Sequence, residues 1–335
     1  MNRELNVAVV IVTYKTALLA IEALRSLTGE RTAPGLQVRA LIVDNSSEDL
    51  PVVEKAVTSN GWNSWVKLLA SPRNGGYGYG NNLGVQHAYR DAPPDYVYFL
   101  NPDAQVRPGA ISTLVEFLES RPDVGIAGGS FELGDGSDWP IAFRFPSLLS
   151  ELDSGLGLSL ATRILNPWVV ARRMPRLPQR VDWICGASML VRPAALAATG
   201  GFDENYFLYF EETDLCYRAS KAGFSTWYVP DSRVLHFGGR STYVTGPQHG
   251  PRRLPGYWFE SRRRYFTRAF GIPHAIAIDL VAVLAHSLGL VKCWLLGRTG
   301  TAVPHYIRDL LSYSVLWPAN RHLPEPRGLA ASLPD

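Results

Sequence analysis

Val7-Ala8-Val9-Val10-Ile11-Val12-Thr13-Tyr14 is an apolar, largely β-branched run closed by two polar side chains. A strand with apolar residues in both phases of its alternation is covered on both faces, as in the centre of a parallel sheet. Working outward, Leu18, Ile21, Leu24 and Leu27 fall at helical spacing, with Thr16 placed to cap the helix they define. The strand signal returns at Val38 to Val43, Val66 to Ala70, Tyr96 to Leu100 and Val124 to Ala127. Helices are predicted between these strands, from about Asp49, near Leu83 to Tyr89, and up to about Ser120, where Pro108 suits the first turn. Strands alternating with helices predict a parallel α/β sheet with right-handed crossovers, its ligand crevice lined by polar residues at the carboxyl ends of the strands.

Beyond Phe131 the rhythm stops. Gly134 to Arg180, rich in Gly, Pro and Arg, reads as an insertion over one edge of the sheet; Trp183 to Val191 then reads as a strand. Five carboxylates follow within Gly200 to Arg218, with a helix predicted from Glu211 to Lys221 and a further strand from Ser225 to Val229 ahead of His236. Crowded acids beside an aromatic run (Tyr206, Phe207, Tyr209, Phe210) repel one another and resist ionisation, which suits a proton acceptor; first-turn acids are also ordinary partners of a helix dipole.

At 335 residues and 46% hydrophobic, the chain can bury one large core with an appendage, and a formal charge of +3 gives no reason to expect nucleic acid as a partner. Cys185, Cys216 and Cys293 lie far apart, without metal-ligand spacing, and point to a reducing cytoplasm. The N-terminal apolar run is too short for a signal-peptide core. Ala275 to Leu296 is long enough to cross a bilayer but is interrupted by Asp279, His286 and Lys292, so a helix lying on a membrane or packed on the domain is expected.

The crevice is not that of a nicotinamide dehydrogenase, which needs glycines directly after the first strand, where Thr13-Tyr14-Lys15-Thr16-Ala17 stands instead. A phosphate-cradling Gly-Lys-Ser/Thr loop is also missing, and Arg73 to Asn82 reads as a flexible Gly-rich loop. Asp44 can accept a hydrogen bond from a base N–H or ribose hydroxyl, although Asp44-Asn45-Ser46-Ser47 is equally a turn sequence. Asp103, at the end of another strand, can hold a hard divalent cation against a diphosphate.

Taken together, Ile11 to Tyr14, Val43 to Ser47, Arg73-Asn74-Gly75-Gly76 with Gly78 and Asn81, Leu100-Asn101-Pro102-Asp103, Gly200 to Glu204, Phe210 to Leu215 and then His236 resemble the family 2 glycosyltransferases of GT-A fold, most nearly their rhamnosyltransferase-like members. The resemblance runs in order over about residues 7 to 240. It implies an α/β fold: a GT-A, Rossmann-like mixed sheet, mainly parallel, flanked by helices, with a helical C-terminal appendage. The implied division is 1–245 for the catalytic domain, with a nucleotide half near 1–130 and an acceptor half near 180–245, and 246–335 for the extension. It also implies an inverting, metal-dependent transfer from a nucleotide-sugar donor, dTDP-rhamnose as first choice, to a saccharide or lipid-linked saccharide in surface polysaccharide assembly.

By this resemblance Thr13 and Tyr14, Asp44 and Arg73 sit at the nucleotide, Asn101 and Asp103 at the diphosphate, and Asp103 and His236 at Mn²⁺ or Mg²⁺. Asn101 stands where the family usually has an aspartate, which shifts coordination toward the diphosphate. Glu212 is the implied general base, with Asp214 as the alternative and Glu211 as an orienting group. Trp183, Tyr206, Phe207 and Tyr209 are candidate acceptor-stacking rings, or core. The arginines from Arg252 to Arg268 suit either an anionic membrane surface or solvent. Two rivals are a sugar nucleotidyltransferase, which lacks a basic triphosphate loop here, and a catalytically silent carbohydrate-binding paralogue.

Overall fold

In the computed structural model, which describes residues 4–237, 252–297 and 303–329, the opening apolar run is strand β1, Leu5–Thr13. Its alternate residues feed two cores: Val7, Val9 and Ile11 face one layer, Ala8, Val10 and Val12 the other. The first half continues as α1 (Ala17–Leu27), β2 (Leu36–Asp44), α2 (Leu50–Ser59), β3 (Val66–Ala70), α3 (Gly76–Asp91), β4 (Tyr96–Leu100), β5 (Ala104–Val106), α4 (Ala110–Glu119) and β6 (Val124–Glu132). The insertion holds β7 (Asp138–Trp139), β8 (Ile141–Phe143), α5 (Leu148–Leu156), α6 (Ser159–Ile164), β9 (Ala171–Arg173) and β10 (Gln179–Val181). Then come β11 (Ser188–Val191), α7 (Pro193–Thr199), α8 (Glu211–Lys221), β12 (Ser225–His236), α9 (Gly256–Phe270), α10 (Ile272–Leu295) and α11 (Tyr306–Tyr313).

The main sheet has the order β10-β12-β6-β11-β4-β1-β2-β3, with β5 paired to β12 and β7 to β6. Strands β4, β1, β2 and β3 are parallel, while β11 enters antiparallel between β4 and β6, making the sheet mixed but mainly parallel. Thr13 is opposite Asp44, and Asp44 opposite Ala70, so three strand ends form one rim.

Several local expectations are corrected. The supposed flexible loop is mostly helix: α3 begins at Gly76. Its glycines serve close approach, since a Cβ on Gly80 would lie 2.7 Å from Val12 Cγ1 and one on Gly84 2.4 Å from Val10 Cγ1. Thr16 precedes α1, but its hydroxyl bonds Thr13 Oγ1 at 2.9 Å and caps nothing. Only Ser188–Val191 of the expected 183–191 strand is regular, and the strand seen from Ser225 runs on unbroken to His236. The proposed boundary at 245/246 lies outside the described residues.

The arginines of α9 and its approach are not a free basic surface. Arg262 is buried between Glu151 (2.7 Å) and Asp279 (2.5 Å), Arg264 is buried against Asp203 (2.5 Å), and Arg253 forks onto Asp309 at 2.7 Å. The pairs to Glu151 and Asp203, with Leu329 N–H donating to Gly200 O at 2.8 Å, tie the C-terminal segment to the rest of the chain, while those to Asp279 and Asp309 hold the segment together.

Candidate active site

At the rim, Thr13 Oγ1 donates to Asp49 Oδ2 at 2.5 Å, and the same carboxylate oxygen accepts the Thr16 N–H at 2.9 Å. Asp44 Oδ1 accepts from the Ser47 N–H (2.9 Å) and hydroxyl (2.6 Å), and Oδ2 from the Asp49 N–H (3.1 Å). Asp44 therefore folds its own turn, as the turn reading expects, and keeps lone-pair capacity on Oδ2. Asn45 locks this turn to the start of α3, donating to Asn74 Oδ1 (3.0 Å) and Gly76 O (3.1 Å). Between these loops lies a cleft of about 140 Å³, bordered by Val12, Tyr14, Thr16, Asn45, Asn101 and Phe207. A roomier cavity, about 490 Å³, lies among α5, α10 and α11 and is lined by none of the residues just named.

Gly76 makes the cleft possible. It has φ 87°, and a Cβ there would sit 1.9 Å from Phe207 O, so only glycine lets α3 start against the 207 backbone. Tyr77 N–H closes the contact by donating to Phe207 O at 3.0 Å.

The β5–β12 ladder sets His236 opposite Ala104, which brings its ring to Asp103: Nε2 lies 3.5 Å from Oδ1, with Asp103 buried and His236 nearly so. Phe131 on β6 packs against the imidazole, ring centroids 5.2 Å apart. Ligands on adjacent positions of an octahedral ion with bonds near 2.1 Å are separated by about 3 Å, so this pair fits two corners of a small divalent cation with slight closure. One carboxylate and one imidazole make a sparse protein share. Among the described residues no group of three or more His, Cys, Asp or Glu is set to hold a metal.

On the other wall, Tyr209 and Phe210 take left-handed backbone (φ 69° and 67°), a strained turn that delivers Glu211 and Glu212 at the start of α8. Each leaves a buried Oε2 without a hydrogen-bond partner. Burial and the neighbouring Glu212 push the Glu211 carboxyl well above the usual range; burial also raises Glu212, against the pull of the backbone N–H groups of Glu212 and Gly186. Tyr77 donates its hydroxyl to Gly186 O at 2.7 Å, and burial next to Glu212 and Glu211 drives its pKa up. Cys185 joins the two walls: burial lifts its thiol to about 12, with Glu212 and then Asp103 among the charges that add to the shift. Asn101 N–H donates to Ala187 O at 3.1 Å, so Cys185-Gly186-Ala187 leaves the sheet to run between the Asn101 turn and α8.

Residues 5–252 match the family model described as "Glycosyltransferase like family 2". The chain belongs to glycosyltransferase family 2. It is 36% identical over 245 residues to the N-acetylglucosaminyl-diphospho-decaprenol L-rhamnosyltransferase of Mycobacterium tuberculosis, covering 70% of this chain and 76% of that one. It is 33% identical over 168 residues to the rhamnosyltransferase WbbL of Escherichia coli, covering 48% and 61%. Among solved structures it resembles GalNAc-T7 with UDP, GalNAc and Mn²⁺ (TM-score 0.56, 15% identity, 93% of this chain and 57% of that one). It also resembles the Pyrobaculum calidifontis mannosyltransferase PcManGT with GDP-Man and Mn²⁺ (TM-score 0.52, 15% identity, 91% and 78%). These likenesses establish the GT-A-like fold.

Within this family 2 glycosyltransferase the remaining candidates divide. Asp214 is committed elsewhere: its Oδ2 takes Arg218 Nε at 2.7 Å and its Oδ1 the Tyr206 hydroxyl at 3.3 Å, while Arg218 also donates to Thr199 O and Gly201 O. Arg73 is exposed, stacked 4.4 Å from the centre of the Tyr79 ring, and its charge draws down the Glu204 carboxyl that burial raises. Tyr206 is core, and Trp183 is spent on Phe143, stacked at 4.1 Å. Phe207 and Tyr209 do form a partly exposed aromatic group, completed by Tyr257 from α9. Tyr257, Asn45 and Tyr77 are not singled out by the sequence; Asp214 and Arg218 carry the i, i+4 spacing of an ion pair, whereas Tyr257 lies 48 residues from Tyr209 with no local signal.

Proposed function

We propose that this glycosyltransferase moves a rhamnosyl group from dTDP-rhamnose to a lipid-linked saccharide, inverting the anomeric carbon, with Mn²⁺ or Mg²⁺ bound at the diphosphate. The M. tuberculosis and E. coli relatives, both named as rhamnosyltransferases, support the sugar, and the first of these supports a lipid-diphosphate acceptor. The Mn²⁺ in both structural neighbours supports the ion. The observation that supports the reading is that Asp103, paired with His236, and Glu212 from the other wall both lie near enough to Cys185 for their charges to push its thiol up.

In this reading Thr13, Tyr14 and Arg73 border the nucleotide, and Asp44 offers Oδ2 to a base N–H or ribose hydroxyl. Asn101 faces the diphosphate by its amide, and Asp103 Oδ1 and His236 Nε2 are the protein's metal ligands. A bound cation neutralises charge developing on the departing nucleoside diphosphate. Glu212 accepts the proton of the acceptor hydroxyl as that oxygen bonds to the anomeric carbon and the carbon–diphosphate bond breaks on the opposite face. Its pKa, raised by burial, brings proton affinity closer to neutrality. Asp214 positions α8 through Arg218. Phe207, Tyr209 and Tyr257 offer ring faces to an acceptor sugar. Cytoplasmic placement at the inner face of the membrane fits three cysteines set far apart in the chain.

The test is incubation with Mn²⁺ and a panel of UDP-, dTDP- and GDP-sugars, reading thermal shift and nucleoside diphosphate release. Stabilisation by dTDP-rhamnose above the others supports the donor; stabilisation by none of them overturns it.

A further inference from the structure

The apolar run that became α10 packs the wrong way round for a helix of a water-soluble domain. Its inward face carries small residues (Ala275, Ala282, Ala285, Gly289), and the polar groups that interrupted the run all turn inward. Asp279 is buried against Arg262 and Ser314, His286 stacks on Tyr306 at 4.2 Å, and Lys292 Nζ donates to Leu156 O and Gly157 O at 2.7 and 2.6 Å. The outward stripe is Leu280, Leu284, Leu288, Val291 and Leu295, each more than half exposed. At 24 residues α10 is about 36 Å long, so this stripe is a long uncovered apolar strip.

A second element extends it. Lys292 fixes the C-terminal end of α5, and α6 starts two residues later with Leu160 and Ile164 exposed, followed by Trp168. The insertion that carries α6 is rich in arginine, one of which, Arg176, pairs with Asp138 at 3.3 Å. Between Asp153 and Asp182 the chain has no acidic residue and five arginines, of which Arg163, Arg173, Arg176 and Arg180 are exposed. Between Asp279 and Asp309 it again has no acid, and Arg308 is exposed. These cations are distinct from Arg262 and Arg264 of α9, which are buried in internal ion pairs.

We propose that the outward faces of α10 and α6 form a monotopic docking surface for an anionic lipid bilayer, apolar side chains entering the headgroup boundary while the insertion arginines meet lipid phosphates. Buried polar groups on the inner face of α10 hold it to α5, α9 and α11, so it lies along the membrane and does not cross it. The proposal adds a surface to the lipid-linked acceptor reading without depending on the donor assignment.

The test is flotation of the full chain with phosphatidylcholine vesicles containing or lacking phosphatidylglycerol, beside thermal unfolding and size-exclusion light scattering. Wild type is expected to float with phosphatidylglycerol vesicles and to be released by alkaline carbonate. Leu284→Glu with Leu288→Glu lowers binding on the order of tenfold or more, and Arg163→Glu with Arg173→Glu lowers it by about fivefold or more per arginine at low salt, all with unchanged melting. Nucleoside diphosphate release to a water-soluble acceptor stays at the wild-type rate in these variants, which separates this surface from the donor site. Failure of wild type to float, equal binding to neutral vesicles, or an unbound wild-type dimer that the leucine substitutions dissociate overturns the proposal.

Discussion

Replacing Glu212 by Gln tests the base assignment with little disturbance, because the amide keeps the length and volume of the side chain between Tyr77 and Gly186. A positioned general base contributes about 10²- to 10⁴-fold, or ~3–5 kcal/mol of barrier, so kcat is expected to fall by that factor. Donor affinity should hold, since Asp103, His236 and the rim residues are untouched. The structure adds a second signature. Both glutamates are raised by burial, and Glu212 raises Glu211 further, so charging this pair costs folding free energy. A carboxyl whose folded pKa exceeds its unfolded value binds more protons when folded; its stability contribution is lost as pH climbs from the ordinary carboxylate range through the raised value. Removing one charge should therefore stabilise the protein at pH 7, by about 1 kcal/mol or ~2 °C, and flatten the decline above about pH 4.5. The assays are steady-state nucleoside diphosphate release with dTDP-rhamnose and thermal shift against pH. A variant with more than about a tenth of wild-type kcat, or one that melts lower at pH 7, refutes the reasoning.

Three further outcomes follow from the geometry. His236→Ala should raise the Mn²⁺ concentration for half-maximal activity by about 10- to 100-fold with little change in melting, read by metal titration; an unchanged requirement removes His236 from the ion. Arg264→Ala leaves Asp203 as an uncompensated buried charge and should cost ~3–5 kcal/mol by urea unfolding, while a loss under about 1 kcal/mol would mean that water reaches the pair. Gly76→Ala drives a Cβ into Phe207 O at a left-handed φ and should cost at least ~2 kcal/mol together with donor binding, so normal dTDP-rhamnose stabilisation would show that the cleft does not need this contact.

Elements with local signals were legible: strand Val66–Ala70 in the parallel half and helix Glu211–Lys221 in the second half end where the sequence pattern places them. The glycines of α3 misled because composition cannot distinguish a glycine kept for flexibility from one kept for contact, and Gly80 and Gly84 are pressed against Val12 and Val10 across the layer. Strand 183–191 shortened because Cys185 to Ala187 must pass between the Asn101 turn and α8, a demand set by residues about 80 positions earlier and 25 later. The candidate residues at strand ends followed from order and spacing, since Asp44 closes one parallel strand and Asn101 and Asp103 directly follow another. Residues that complete the site from a distance, such as Tyr257, Tyr77 and Asn45, carry no pattern of their own. The basic run 252–268 misled for a related reason: Arg264, Arg262 and Arg253 find their partners Asp203, Asp279 and Asp309 on other elements.

The most direct measurement is a crystal structure with Mn²⁺ and dTDP, the ion located by anomalous scattering at the manganese edge. The account predicts one peak within about 2.0–2.4 Å of Asp103 Oδ1 and His236 Nε2, touching the diphosphate, with Glu212 facing the acceptor side of the same cleft. A peak away from both ligands, or a nucleotide bound anywhere but the rim formed by Thr13, Asp44 and Asn101, would contradict it.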